Sequence, residues 1–251
     1  MSGRPAVLVI AGSDSSGGAG IVRDLKVLAD LGVDALCAVS AVTAQTHGHV
    51  VSVHHVPPEI VRTQIRTALE STAISAIKIG MLGTAATVTA VADSLPRTGT
   101  IPIVLDPVLL SSSGGVLLDD EGREEMCTRL FPLAAVLTPN IPEAASLCGT
   151  APATTRDALL EQARSLLATG ARAVLLKGGH AAGAEAVDLL LTEPNTPPQW
   201  LCAPRLDARC RGTGCALASA IAAGLATGHS VEGACRSGKE YVHSMLAATA
   251  T

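Results

Sequence analysis

The segment Arg211-Gly212-Thr213-Gly214-Cys215 precedes a run of small residues, Ala216, Ala218, Ser219 and Ala220, that reads as a helix. Consecutive backbone N–H groups from Gly212 through Cys215, with a helix dipole behind them, would form an anion nest. A transferring phosphoryl group gathers negative charge on its oxygens, so such a nest suits phosphoryl transfer. Cys215 falls in the first turn, where the dipole is expected to lower a thiol's pKa. The same residues also read as a plain helix cap with a small buried cysteine, and the glycines alone do not separate the two readings.

Other segments carry polar groups at the ends of apolar runs. Gly12-Ser13-Asp14-Ser15-Ser16-Gly17-Gly18-Ala19-Gly20 joins a first strand to a first helix, where glycines let backbone approach a ligand. It matches neither GxxxxGK[ST] nor GxGxxG. In Thr138-Pro139-Asn140-Ile141-Pro142-Glu143, Asn140 and Glu143 suit a helix start and equally suit orienting Mg²⁺ through water. Asp106 directly follows the run ending at Leu105, and the Ser111–Gly115 stretch behind it suits a mobile cover. Lys177 follows another run and can meet phosphate charge, whereas His180 reads as a polar loop residue. Gln45, in Thr43-Ala44-Gln45, has the donor and acceptor needed to read a heterocycle's edge.

The elements that must position these residues alternate in type. Apolar runs at Ala6–Ala11, Ala35–Val42, Ala76–Ile79, Ile101–Leu105, Ala134–Leu137 and Ala173–Leu176 read as buried strands. Helical spacing predicts helices over Ala19–Leu31, Pro58–Glu70, Thr84–Leu95, Asp119–Leu130, Asn140–Leu147, Thr155–Thr169, Gly214–Ala226 and Val231–Ala247. Val187–Leu191 and Trp200–Ala203 read as paired strands around a proline-rich turn, while the segment through His47 reads as a loop. Repeated βα units predict one α/β domain spanning residues 1–251, with a mostly parallel central sheet between two helical layers. Ligands of such sheets bind outside the carboxyl ends of the strands, where the polar segments cluster.

Composition narrows the functional classes. The 251 residues are 48% hydrophobic and 16% charged, with a net charge of −4, which argues against disorder and against a nucleic-acid protein. Arg205, Arg209 and Arg211 form only a local basic cluster. Phe131, Trp200 and Tyr241 are the only aromatic residues, too few for a base-stacking platform. No apolar run is long enough to span a bilayer, and seven scattered cysteines suggest reduced thiols in the cytoplasm.

Taken in order, AGSDSSGGAG at 11–20, DLK at 24–26, TAQ at 43–45, KIGML at 78–82, LDPV at 105–108, TPNxPEA at 138–144, LKGGH at 176–180 and GTGC at 212–215 resemble the hydroxymethylpyrimidine/phosphomethylpyrimidine kinases of the ribokinase-like superfamily. The resemblance runs from about residue 6 to 246. It implies the three-layer α/β/α ribokinase-like fold and ATP-dependent phosphorylation, with Mg²⁺, of 4-amino-5-hydroxymethyl-2-methylpyrimidine and its monophosphate in thiamine biosynthesis. It implies Cys215 as the base facing the substrate hydroxyl and the amides of Gly212, Thr213, Gly214 and Cys215 as the anion hole. Gly12, Asp24, Gln45, Met81 and Val108 would line the pyrimidine site. Asp106, Asn140, Glu143 and Lys177 would serve Mg²⁺ and the ATP phosphates. A homodimer is also expected, and a pyridoxal kinase or a catalytically silent pyrimidine binder are the alternatives. The chain departs from the family at Ser15, where proline is usual, at Thr46-His47, where Asn-Thr is usual, and at Arg209-Cys210-Arg211, where Asn-Thr-His is usual.

Overall fold

The structure is a computed structural model describing residues 3–96, 100–111, 114–179, 183–208 and 210–249. Ser112, Ser113, His180 and Arg209 lie outside the described residues. Six strands form the parallel centre of one sheet: β1 (Ala6–Asp14), β2 (Asp34–Gln45), β4 (Ile74–Ile79), β5 (Ile103–Leu105), β6 (Val136–Leu137) and β7 (Val174–Leu176). Three more pair antiparallel at its margins: β3 (Val50–His55) on β2, then β8 (Glu185–Leu191) on β7 and β9 (Gln199–Pro204) on β8. The order β3-β2-β1-β4-β5-β6-β7-β8-β9 sends the chain one way after β1 and the other way from β4 onward. That reversal opens a crevice between the ends of β1 and β4, the usual ligand position in doubly wound sheets.

The period of two along β1 divides the core. Leu8 and Ile10 face one apolar cluster, Val7 and Val9 the other, and all four are fully buried. The first cluster takes apolar residues from α2 (Pro58–Ser71), α3 (Ala85–Ser94), α4 (Asp120–Arg129), α5 (Ile141–Cys148) and α6 (Arg156–Leu167). The second takes them from α1 (Gly20–Asp30), α7 (Thr213–Ala226) and α8 (Val231–Ala247). The expected three-layer α/β/α arrangement with a mostly parallel sheet is therefore present.

Local chemistry sets the helix starts. Thr84, Asp119, Thr155 and Ser230 each accept an N–H from three residues on. Asn140 and Glu143 make a reciprocal capping box at α5. Two elements differ from the sequence expectation. The segment after Val42 is not a loop: β2 runs on to Gln45 and turns back as β3, pairing from Ala41↔His55 to Gln45↔Val50. Val51 in β3 is 65% exposed, so this edge strand lacks the buried apolar run that marks the others. A 3-10 turn at Phe131–Leu133, which apolar patterning does not predict, sinks Phe131 completely into the larger cluster. At the far margin the guanidinium of Arg156 covers the Trp200 ring at 4.7 Å.

Phe131 is the only phenylalanine in an otherwise aliphatic core. Phe131→Ala is expected to cost about 3–5 kcal/mol of folding stability, read from the midpoint of chemical denaturation.

Candidate active site

The site begins with α7. Gly212, its N-cap, has φ +73°, and a methyl group there would lie within 2.3 Å of the Gly18 carbonyl oxygen. Glycine thus lets the GTGC turn press against the β1–α1 loop. On its other side a methyl at Gly214 would fall 3.3 Å from Lys177 Nζ and 3.7 Å from Asp106 Oδ2. The nest that the sequence predicts at Gly212, Thr213, Gly214 and Cys215 therefore lies between the first loop and a charged pair.

That pair is Lys177 Nζ and Asp106 Oδ1, 2.7 Å apart. Glu143 Oε2 stands 4.0 Å from the same ammonium and accepts the Asn140 N–H at 2.8 Å, while Asn140 Oδ1 accepts the Glu143 N–H at 2.8 Å. Thr138 donates its hydroxyl to Asp106 Oδ1 at 3.1 Å. Burial alone would lower the Lys177 pKa, but the two carboxylates reverse this and hold it above the ordinary range. Burial pushes Glu143 up to about 7, with Lys177 pulling against it. Asp106, the Asn140–Glu143 pair and Lys177, taken from three separate segments, thus converge beside Gly214. The Lys177 loop is held from behind: Gly178 N–H donates to Asp188 Oδ1 at 2.8 Å, and Lys239 donates to Asp188 Oδ2 at 2.7 Å.

At the other end, Gly12 abuts Met81; a methyl on Gly12 would lie 2.9 Å from the thioether sulfur. Met81 also lines an open cavity of about 220 Å³ with Val53 and His55 of β3 and residues 116–119. Gln45, at the end of β2, has its N–H held by Ser15 Oγ at 2.9 Å, and its side-chain oxygen accepts from Arg211 Nη2 at 3.4 Å. Arg211 also donates to the Thr46 carbonyl. Val108 is half-buried, with its N–H donating to the Asp106 carbonyl at 2.9 Å.

Two expectations change. Asp24 offers no surface to a pyrimidine: its side chain is fully buried, Oδ2 pairs with Lys78 Nζ at 2.8 Å, and Oδ1 accepts from Ser219 Oγ at 2.8 Å. It sits one helical turn below the loop, on the inward face of α1. The Cys215 thiol also moves opposite to expectation. Burial pushes it up to about 11, outweighing the pull of Lys78 and the Gly20 amide. The helix dipole is present, but depth decides the sign.

Sequence reasoning passed over Asp14. This carboxylate accepts the Ser16 N–H and hydroxyl, both at 2.7 Å, on Oδ1, and the Ala19 N–H at 2.8 Å on Oδ2. Burial raises its pKa, but these bonds and the Arg211 charge together hold it below the ordinary value. It caps α1 from outside the helix, where Ala19 has no side chain to do so. An acidic residue between the first apolar run and the first helix, two positions before Ser16, is the signal that was available.

Known proteins share this sequence and this fold. The family model for phosphomethylpyrimidine kinase matches residues 14–251. The hydroxymethylpyrimidine/phosphomethylpyrimidine kinase of Streptomyces coelicolor is 46% identical over 97% of this chain and 89% of its own length. The crystal structure of phosphomethylpyrimidine kinase from Clostridium difficile superposes with a TM-score of 0.83 at 34% identity, covering 96% of this chain and 99% of that one. Pyridoxal kinase from Staphylococcus aureus in complex with ADP superposes with a TM-score of 0.89 at 31% identity, covering 98% and 89%. With the family model matched from residue 14 to 251 and a relative 46% identical along 97% of its length, the chain belongs to the phosphomethylpyrimidine kinase family.

Proposed function

We propose that the protein transfers the γ-phosphoryl group of ATP to the hydroxyl of hydroxymethylpyrimidine, and a second one to the monophosphate, in the cytoplasmic synthesis of thiamine. The observation that carries this reading is the position of the Gly212–Cys215 turn between the Gly18 carbonyl and the Lys177–Asp106 pair. The alcohol enters from the Gly12, Gln45 and Met81 side, with Val108 at the margin. ATP phosphates lie toward Lys177. The amides from Gly212 to Cys215 meet the charge that gathers on the transferring group.

The donor set fits Mg²⁺ that arrives with ATP. Among the described residues no cluster of three or more His, Cys, Asp or Glu side chains is placed to hold a metal alone. Mg²⁺ is commonly held by one or two carboxylates together with substrate phosphates and water. Glu143 and Asp106, with Asn140 beside them, suit that partial cage. Bound there, the ion would neutralise charge on the phosphate oxygens. Lys177, 4.0 Å from Glu143, would meet the same oxygens.

Cys215 faces the hydroxyl and accepts its proton late in a loose transfer, in which the alcohol needs little activation before the leaving bond breaks. A thiol raised to about 11 is protonated at neutral pH, so the competent thiolate grows as pH rises. Raised pKa means the protonated form persists through neutrality. The rate constant for turnover is therefore expected to climb with pH above neutrality in the native chain and to lose that slope in Cys215→Ser. The same substitution is expected to lower kcat by roughly 10²–10⁴-fold with KM for the alcohol little changed. Native-like kcat in Cys215→Ser would remove the base role.

Pyridoxal phosphorylation remains the second reading, because pyridoxal kinases share the fold along 98% of this chain. Turnover of Mg²⁺-ATP with hydroxymethylpyrimidine, its monophosphate and pyridoxal side by side separates them: the first two fast and pyridoxal slow supports the proposal, and the reverse order replaces it. A homodimer is part of the same proposal and is checked by sedimentation. Gly212→Ala would drive a methyl into the Gly18 carbonyl. It is expected to lower kcat/KM by about 10²-fold or more while the fold persists, because sub-ångström to 1 Å displacements of a reacting group carry costs of that size.

A further inference from the structure

The fully buried Asp24–Lys78 pair is absent from the phosphate and heterocycle chemistry described above. Both side chains are 0% exposed, and their ion pair is 2.8 Å long. Such a pair seldom earns its place through stability, since apolar residues of similar volume serve at least as well.

Its position suggests another role. Helices α1 and α7 pack against each other, and Gly212 at the start of α7 lies against Gly18 and Ala19 at the start of α1. At the top rung the Gly20 N–H faces the Cys215 sulfur. One turn down, Gly20 becomes Asp24 and Cys215 becomes Ser219, four residues on in each helix and on the same face. That second rung is closed by the Ser219 hydroxyl donating to Asp24 Oδ1 at 2.8 Å. Lys78 reaches in from β4, in the middle of the sheet, and its ammonium passes beneath Gly80, where an added methyl would lie only 2.8 Å away. Below the thiol, therefore, lies one anchored cation whose carboxylate, carried on α1, bridges it to Ser219 of α7.

We propose that Lys78 and Asp24 are positioning residues for Cys215: pinned by Ser219, the pair fixes the seam between α1 and α7 and sets the electrostatic field at the thiol. The charges that act on that sulfur are those of Lys78 from β4, Asp24 from α1, Asp106 after β5 and Lys177 after β7, together with the Gly20 amide. Lys78 is the cation that favours the thiolate, and Asp24 and Asp106 oppose it. Lys78 itself stays protonated: burial would lower its pKa, and the Asp24 carboxylate more than reverses this. The catalytic meaning of the proposal rests on the reading of Cys215 as the group facing the substrate hydroxyl; its test does not.

The test is site-resolved alkylation of Cys215 by iodoacetamide in the full chain, followed by mass spectrometry from neutral to alkaline pH. The double variant Asp24→Asn/Lys78→Met removes both charges and leaves no lone ion buried. Its Cys215 is expected to react about tenfold more slowly at a fixed mildly alkaline pH, the change one pKa unit makes in thiolate fraction. An unchanged profile in this variant, folded by circular dichroism, would overturn the proposal. Ser219→Ala covers the case in which the double variant does not fold. Losing one donor exposes the thiol to more of the Asp24 charge, so alkylation slows about twofold, and an unchanged rate there also overturns the proposal. Turnover is read in parallel: if Cys215→Ser keeps its kcat while alkylation of the native Cys215 responds to the pair, the base role fails and this inference stands.

Discussion

Everything at the site depends on how closely α7 can approach the loop after β1. An ordinary residue at position 212 would meet the Gly18 carbonyl well inside contact distance. The helix behind it obeys the same constraint: Ala216, Ala218, Ser219, Ala220, Ala222 and Ala223 are all buried. Small side chains here exchange packing volume for proximity. What they bring together is a row of amides at one helix end and a carboxylate–lysine pair carried on different strands.

The charges follow the same economy of space. Lys177, Asp106 and Glu143 are nearly buried yet hydrogen-bonded or paired, as Asp24, Lys78 and Ser219 are beneath them. Asp188 and Lys239 repeat the device behind the Gly178 amide. These ions are anchored by partners from other elements: Lys177–Asp106 joins two strand ends, and the Glu143–Lys177, Asp24–Lys78 and Lys239–Asp188 links cross from helix to sheet. The site is held less by its own loop than by ion pairs that tie helices to strand ends.

Much of this was legible in the residues. The alternation of apolar runs and helical spacing marks the βα units, and Asn140-x-x-Glu143 announces its own capping box. The hairpin of β8 and β9 follows from two apolar runs around three prolines. What escaped depended on partners distant in the chain. β3 carries two histidines and the exposed Val51, so only its pairing with β2 makes it a strand. Asp24 reads as one of four polar residues on an amphipathic helix, and nothing local reveals Lys78, 54 positions away, or Ser219, 195 away. The direction of the Cys215 shift escaped for the same reason: a dipole can be read from sequence, but the depth at which it acts cannot.

The scarcity of aromatic rings has one further consequence. Trp200 is the only indole in the chain, sits on β9 at the antiparallel margin and lies under the Arg156 guanidinium. Absorbance near 280 nm will therefore be weak for a protein of this size, and ultraviolet emission will come almost wholly from one ring. That ring is fixed between the last strand and α6, so the molecule carries a built-in optical reporter for the far edge of the sheet. A spectral change on adding nucleotide would mean that binding is felt across the whole width of the β-structure, and a silent signal would mean that the edge stands apart from it.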